Sequence, residues 1–200
     1  MPPDDSTARA AGHVVVPIRS FANAKARLAG RLDRDERAAL ARRLATNVVS
    51  AASGYSVTIV TSAPEVEAWA VEVECTVVAD PGTLDAAARD GYAAATAQGA
   101  RRIVVAHGDL PLVTSFRALF GVDSDAALIV GDRHGDGTPV ISLPAAVDFH
   151  FSYGPGSLAR HLAEAERLGL RAVLVEDPVL GFDIDVPADL DALETITSRR

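Results

Sequence analysis

RRIVVAHGDLPLV, residues 101–113, runs from a continuous apolar, β-branched segment straight into a carboxylate, Asp109, and a stiffening proline, Pro111. An apolar run without polar alternation marks a strand covered on both faces, as in sheets flanked by helices on either side. Comparable runs recur as HVVVPI (13–18), SVTIVT (56–61), CTVVA (75–79), AALIV (126–130), PVISL (139–143) and AVLVE (172–176). Segments with mostly helical spacing separate them at 33–52, 64–71, 83–98, 114–119, 157–168 and 187–197. This alternation predicts a three-layer α/β/α domain with a mostly parallel, mixed sheet.

The chain has 200 residues, enough for one domain with a full core. That domain is expected over 13–200, after a loose polar tail, MPPDDSTARAAG, at 1–12. The tail does not read as a secretory signal and no segment reaches the roughly 20 apolar residues of a membrane span, so a cytoplasmic protein is expected. Cys75 is the only cysteine, which excludes an intrachain disulfide and a multi-cysteine metal site. It reads as strand packing. A net charge of −8 repels polyanions, so no broad nucleic-acid surface is expected. A small anionic substrate would need locally gathered cations.

In open α/β sheets ligands bind beyond the C-terminal ends of the strands, which directs attention to the loops. The first, PIRSFANAKARLAGRL, spreads Arg19, Lys25 and Arg27 among small residues. Such cations can clamp phosphates, or the loop is simply a solvated basic turn; a Walker A pattern is absent. In HGDLPLV, Asp109 at a strand end suits Mg²⁺, which takes oxygen ligands and usually only one or two protein carboxylates beside substrate phosphates. His107 reads better as packing than as a ligand. Asp85, in the first turn of a helix after ADPGT, either complements the helix dipole or accepts the paired donors of a guanine edge. Thr138 in the Gly-rich GDRHGDGTPVISL can donate to a phosphate, and Ser157 opens a helix after the FSYGPG turn, where free N–H groups favour anions or the serine simply caps the helix.

GFDIDVPADL, 181–190, alternates so that Asp183 and Asp185 share one face while Phe182, Ile184 and Val186 share the other. If Pro187 starts the next helix, Val186 is its cap and neither aspartate is needed there. A haloacid-dehalogenase-type nucleophile motif belongs on a first strand with partner motifs downstream, and only 15 residues follow Asp185. The remaining reading joins Asp183 and Asp185 to Asp109 around Mg²⁺ and a polyphosphate.

Taken in order, VVVPIRSFANAKARLAGRLDRDERAALARRL, HGDLPLV, GDRHGDGTPVISLP, FSYGPGS and GFDIDVPADLDAL resemble the phosphoenolpyruvate or 2-phospho-L-lactate guanylyltransferase family of deazaflavin-coenzyme biosynthesis. The resemblance spans about residues 13 to 196 and implies a nucleotide-diphospho-sugar-transferase-like, Rossmann-like fold with GTP as donor. It implies that Lys25 and Arg27 hold the GTP phosphates, with Arg19 where the family usually has lysine. Asp109, Asp183 and Asp185 would organise Mg²⁺, and Thr138, Gly154 and Ser157 would hold the acceptor's phosphate. Pro139 stands where asparagine is common, and Asp85 where asparagine is usual. Phosphoenolpyruvate is the expected acceptor, then 2-phospho-L-lactate, with 3-phosphoglycerate also to be tested; the product would pass to a downstream deazaflavin transferase. Alternatives are a molybdenum-cofactor nucleotidyltransferase, whose usual Gly-rich first loop is missing, and a nucleotide-binding regulator without turnover. Trp69 is expected in the core, or else at a homodimer interface.

Overall fold

The computed structural model describes residues 12–198. Its elements follow the apolar runs: β1 (Gly12–Pro17), α1 (Arg34–Ala51), β2 (Ser56–Val60), α2 (Pro64–Glu72), β3 (Thr76–Val78), α3 (Leu84–Ala97), β4 (Arg102–Ala106), β5 (Ala126–Val130), β6 (Val140–Pro144), α4 (Ser157–Arg167), β7 (Arg171–Val175) and α5 (Pro187–Thr197). The strands form one seven-stranded sheet in the order β3-β2-β1-β4-β6-β5-β7. All pairings are parallel except those of β6, which runs antiparallel to β4 and β5.

Two cores show that the central strands are covered on both faces. Val14 and Val16 of β1, with Val104 and Ala106 of β4, join one cluster, whereas Val15, Ile103 and Val105 join the other. This is the period-2 division of a strand between two helical layers. Trp69 is buried against Phe21 in the first cluster, as expected for a core residue, and its indole N–H donates to Thr46. Cys75 is half-buried, and burial pushes its thiol up to about 11, so it stays protonated and unreactive at neutral pH.

Local chemistry sets the helix starts. Asp33 and Glu36 form a reciprocal capping box at α1, and the Thr83 hydroxyl accepts the Ala86 N–H at α3. Pro64 and Pro187 occupy first-turn positions.

Two expectations need correction. Gly12 opens β1, so the folded body starts one residue before the expected boundary; the rest of the expected tail, residues 1–11, lies outside the described residues. The helix expected at 114–119 is a single 3-10 turn, Arg117–Leu119. So few residues do not offset the cost of helix nucleation, and burial of Phe116, Leu119 and Phe120 shapes this segment instead.

The antiparallel β6 matters for function because it brings its own start beside the end of β4, where the His107 N–H donates to the Pro139 carbonyl at 2.8 Å. The ends of β1 to β5 and the start of β6 therefore lie along one edge of the sheet. A third apolar cluster closes the chain's end onto that edge: Phe182 and Ile184 pack with Leu28, Leu40 and Leu44, and Leu190 and Leu193 of α5 cover them.

Candidate active site

The dicarboxylate stretch folds back beside the β4 loop, and the Ile184 N–H donates to the Asp109 carbonyl at 3.3 Å. Ile184 and Phe182 are buried, while Asp183 is half-buried and Asp185 exposed, as alternation in an extended segment requires. Lys25 reaches into this junction from the first loop. Its ammonium donates to Asp109 Oδ2 and to the Ile184 carbonyl, both at 2.5 Å, and to Asp185 Oδ1 at 3.3 Å. Burial alone would lower the Lys25 pKa, but Asp109 and Asp185 outweigh it and the net shift is upward. Asp109 is the converse: burial would raise it, yet Lys25 and His107 hold it below the ordinary carboxylate range.

Asp183 has no such partner. Burial, with the nearby charges of Asp109 and Asp185, pushes its carboxyl up to about 6. Asp109 Oδ1 is buried with no hydrogen-bond donor. A divalent cation fits both observations, because it would supply an electrophile to the orphaned oxygen and positive charge to Asp183. Among the described residues no group of three acidic, histidine or cysteine side chains forms a ready-made metal cage. Mg²⁺ does not require one, since substrate phosphates and water complete its shell.

Next to this junction opens a cavity of about 700 Å³, lined by Arg19, Lys25, Asp80, Thr83, His107 and Asp109 among others, with Ala41, Ala45 and Ala87 as small wall residues. The expected site residues divide around it. Arg19 lines the wall but is turned to the 80–83 loop: its guanidinium donates to the Gly82 carbonyl and lies 3.8 Å from Asp80. Arg27 is 74% exposed and sits 3.8 Å from Asp185, outside the cavity lining.

Thr138 and Ser157 lie together at the next strand end. Both are buried, the Ser157 hydroxyl donates to Thr138 at 3.2 Å, and His161 Nδ1 contacts Thr138 at 3.1 Å. The Ser152 N–H donates to His161 Nε2, so the neutral ring carries its proton on Nδ1 and donates it to Thr138. Burial keeps that ring neutral, lowering it to about 4. Gly154 is exposed on the turn before Ser157, at φ 99°, a conformation that favours glycine. Asp85, read as a guanine selector, is placed elsewhere: its carboxylate accepts the Tyr153 N–H at 2.6 Å and borders a separate hollow with Arg89 and His150. The physical reason is that an unpaired backbone donor in the 151–157 turn lies within its reach. Pro139 pairs with His107 through its carbonyl alone; lacking an N–H it cannot return the reciprocal bond, and the β4–β6 ladder ends there.

Over this site the chain matches the family model described as "Guanylyl transferase CofC like" across residues 12–196. The chain belongs to that family. It is 36% identical over 198 residues to a phosphoenolpyruvate guanylyltransferase of Conexibacter woesei, covering 93% of this chain and 89% of the relative. A 3-phospho-D-glycerate guanylyltransferase of Phenylobacterium zucineum is 32% identical over 193 residues, covering 88% and 86%. Among solved structures, one from Desulfovibrio desulfuricans G20 named for nucleotide-diphospho-sugar transfer superposes with a TM-score of 0.71 at 17% identity, over 92% of this chain and 86% of that one. The fold is thus that of the nucleotide-diphospho-sugar transferases, and this CofC-like chain is a nucleotidyltransferase.

Three residues that support the site escaped the sequence reading: Asp132, Arg133 and Asp189. Asp132 accepts the N–H groups of His134, Asp136 and Gly137 and so shapes the loop between β5 and β6. Asp189, 3% exposed, accepts the N–H groups of Asp185 and Val186 and is ion-paired to Arg133. Its position as the third helical residue after Val186 was the one available clue, because an acidic residue there commonly reaches back to the cap.

Proposed function

We propose that this chain transfers GMP from GTP to phosphoenolpyruvate, releasing pyrophosphate and forming an enolpyruvoyl-diphospho-guanosine that a downstream deazaflavin transferase consumes in the cytoplasm. The observation that carries this reading is Lys25, held among Asp109, Asp185 and the Ile184 carbonyl on the cavity wall. An ammonium fixed there can meet the phosphates of a nucleotide lying in the cavity. The named relatives supply the donor and acceptor classes.

In the reaction a phosphate oxygen of the acceptor forms a bond to the α-phosphorus of GTP as the bond to the bridging oxygen of the pyrophosphate breaks. The nucleophile is already an anion, so no general base is required. Catalysis rests on alignment and on neutralising the charge gathered at phosphorus. Mg²⁺, held by Asp109, Asp183 and Asp185, would supply Lewis acidity and counter-charge. Lys25 supplies a fixed positive charge, Arg19 braces the 80–83 loop along the cavity wall, and Arg27 stands at the rim. Thr138, Gly154 and Ser157 form the neighbouring anion-holding turn for the acceptor, with Gly156 at φ 74° opening α4.

A second acceptor, 3-phospho-D-glycerate, is favoured by the Phenylobacterium zucineum relative. The test is pyrophosphate release with GTP, ATP or CTP against phosphoenolpyruvate, 2-phospho-L-lactate and 3-phosphoglycerate, with the deazaflavin transferase present to trap product. Release with GTP and one acid only is expected to name the acceptor. Silence with every acid, while GTP still binds, would point to an acceptor outside these three.

A further inference from the structure

The loop between β5 and β6, GDRHGDG at 131–137, touches the dicarboxylate segment with one residue and the 154–158 turn with another. Its shape is fixed internally by Asp132, whose two oxygens accept three backbone N–H groups at 2.8–3.0 Å. On one side the Arg133 N–H donates to the Gly181 carbonyl at 3.0 Å, its guanidinium lies 5.0 Å over the Phe182 ring, and it pairs with Asp189. Asp189 in turn receives the N–H groups of Asp185 and Val186 at 2.5 and 2.7 Å. On the other side the Asp136 carboxylate accepts the Gly156 N–H at 2.9 Å and its carbonyl accepts the Leu158 N–H at 3.0 Å.

We propose that this loop is a bracket that fixes the distance between the two substrate sites, with Arg133 a positioning residue for the Asp183–Asp185 segment and Asp136 for the acceptor turn. The chemistry asks for such a part. In-line transfer needs the acceptor oxygen and the α-phosphorus within about 3–3.5 Å, and the two substrates here are held by segments that do not adjoin in sequence. A loop bound to both segments by charge-assisted hydrogen bonds sets that gap more firmly than packing alone. Neither side chain needs to touch a substrate.

This inference rests on the guanylyl-transfer reading, and the experiment separates the two. Free Mn²⁺ is followed by electron paramagnetic resonance as it titrates the protein with GTP present, against GTP alone so that chelation by the nucleotide is subtracted, and the acceptor KM is measured in parallel. The proteins are the full chain, Arg133→Gln, Arg133→Lys and Asp136→Asn, with melting curves to confirm folding. Arg133→Gln is expected to weaken Mn²⁺ binding about tenfold or more and leave the acceptor KM within about twofold, with Arg133→Lys recovering part of the loss. Asp136→Asn is expected to do the reverse. If Arg133→Gln fails to fold, the isosteric Asp189→Asn carries the same expectation. Variants that shift both constants alike, or neither, would overturn the bracket. Absence of GTP-supported Mn²⁺ binding in the unaltered chain would sink the guanylyl-transfer reading, and the bracket with it.

Discussion

Lys25 adopts φ 55°, ψ 37°, a left-handed conformation that costs a non-glycine residue on the order of 1 kcal/mol. That strain is balanced by three oxygens around its ammonium, and the side chain is only 9% exposed. Removing it leaves the buried Asp109 without its ammonium partner, while Asp185 keeps only the exposed Arg27 at 3.8 Å. Lys25→Ala is therefore expected to destabilise the fold by about 3 kcal/mol in urea denaturation, the cost of breaking a buried pair, and to cut turnover by about two orders of magnitude or more. Asp183 is the opposite case, an anion whose neighbours are anions. Its folded pKa, about 6, lies above its ordinary value of 3.8, so the fold binds its proton more tightly than the unfolded chain does. The associated stability is fully present below pH 4 and lost as pH rises through 6. Allowing for solvent screening, ionised Asp183 costs the metal-free fold about 1–2 kcal/mol at pH 7.5. In EDTA, Asp183→Asn should raise the melting temperature by about 2–5 °C at pH 7.5 and give no gain at pH 4, while turnover with metal falls by orders of magnitude. No gain at pH 7.5 would mean that the carboxylate is not strained in the resting fold.

Helix α3 lies so close to the sheet that an added Cβ at Gly91 would stand 2.4 Å from Val15 Cγ1 and 2.7 Å from Val60 Cγ2. Two effects oppose each other in Gly91→Ala. Alanine gains about 1 kcal/mol of helix propensity, whereas overpacking against two buried β-branched side chains costs about 1–3 kcal/mol. The overpacking wins, because both valines are fully buried and neither can swing away. A net loss of about 1–2 kcal/mol in chemical denaturation is expected, with weaker GTP binding because α3 and its Thr83 cap place Thr83, Leu84 and Ala87 on the cavity wall. A neutral or stabilising result would show that α3 can lift from β1 without cost. The position of α3 was legible because apolar runs, a Thr cap and helical spacing are local signals. So was the two-faced character of β1, β4 and GFDIDV, since alternation decides which side chains point inward, whereas the closing of GFDIDV onto the β4 loop was expected only from the reading that joined its aspartates to Asp109. The direction of the polar side chains was not. Asp85 could satisfy a guanine edge or a backbone donor equally well in sequence, and only the fold brings Tyr153, 68 residues away, within its reach. Arg19 turns to Gly82 across 63 residues, and Arg133 finds Asp189 across 56. Long polar side chains choose among partners that topology supplies, and local pattern carries no record of that choice. The expected helix at 114–119 failed for the related reason that burial overruled local spacing.

The whole molecule carries −8, and the cavity wall repeats that sign locally, setting Arg19 and Lys25 against Asp80, Asp109 and Asp185, with Asp183 close behind. Lys25 is moreover committed to two of those carboxylates. A nucleoside triphosphate, itself strongly anionic, therefore approaches an anionic site in an anionic protein. Divalent metal reverses the balance by lowering the charge of the ligand and of the carboxylates together. Two outcomes follow from the sign of the field. GTP should bind at least about tenfold more weakly in EDTA than with millimolar Mg²⁺, a difference of about 1.4 kcal/mol. The residual binding in EDTA should also strengthen as salt rises from low to physiological ionic strength, because screening relieves a net repulsion within a Debye length of about 8–10 Å. A site dominated by free cations would respond in the opposite direction, losing affinity as salt screens its attraction. Isothermal titration at two salt concentrations, with and without Mg²⁺, reads both quantities from one protein preparation. Tight binding in EDTA that weakens with salt would return Lys25 and Arg19 to the status of a simple phosphate clamp. The carboxylates at 109, 183 and 185 would then be structural acids rather than metal ligands, and the metal-dependent form of the proposed transfer would have to be abandoned.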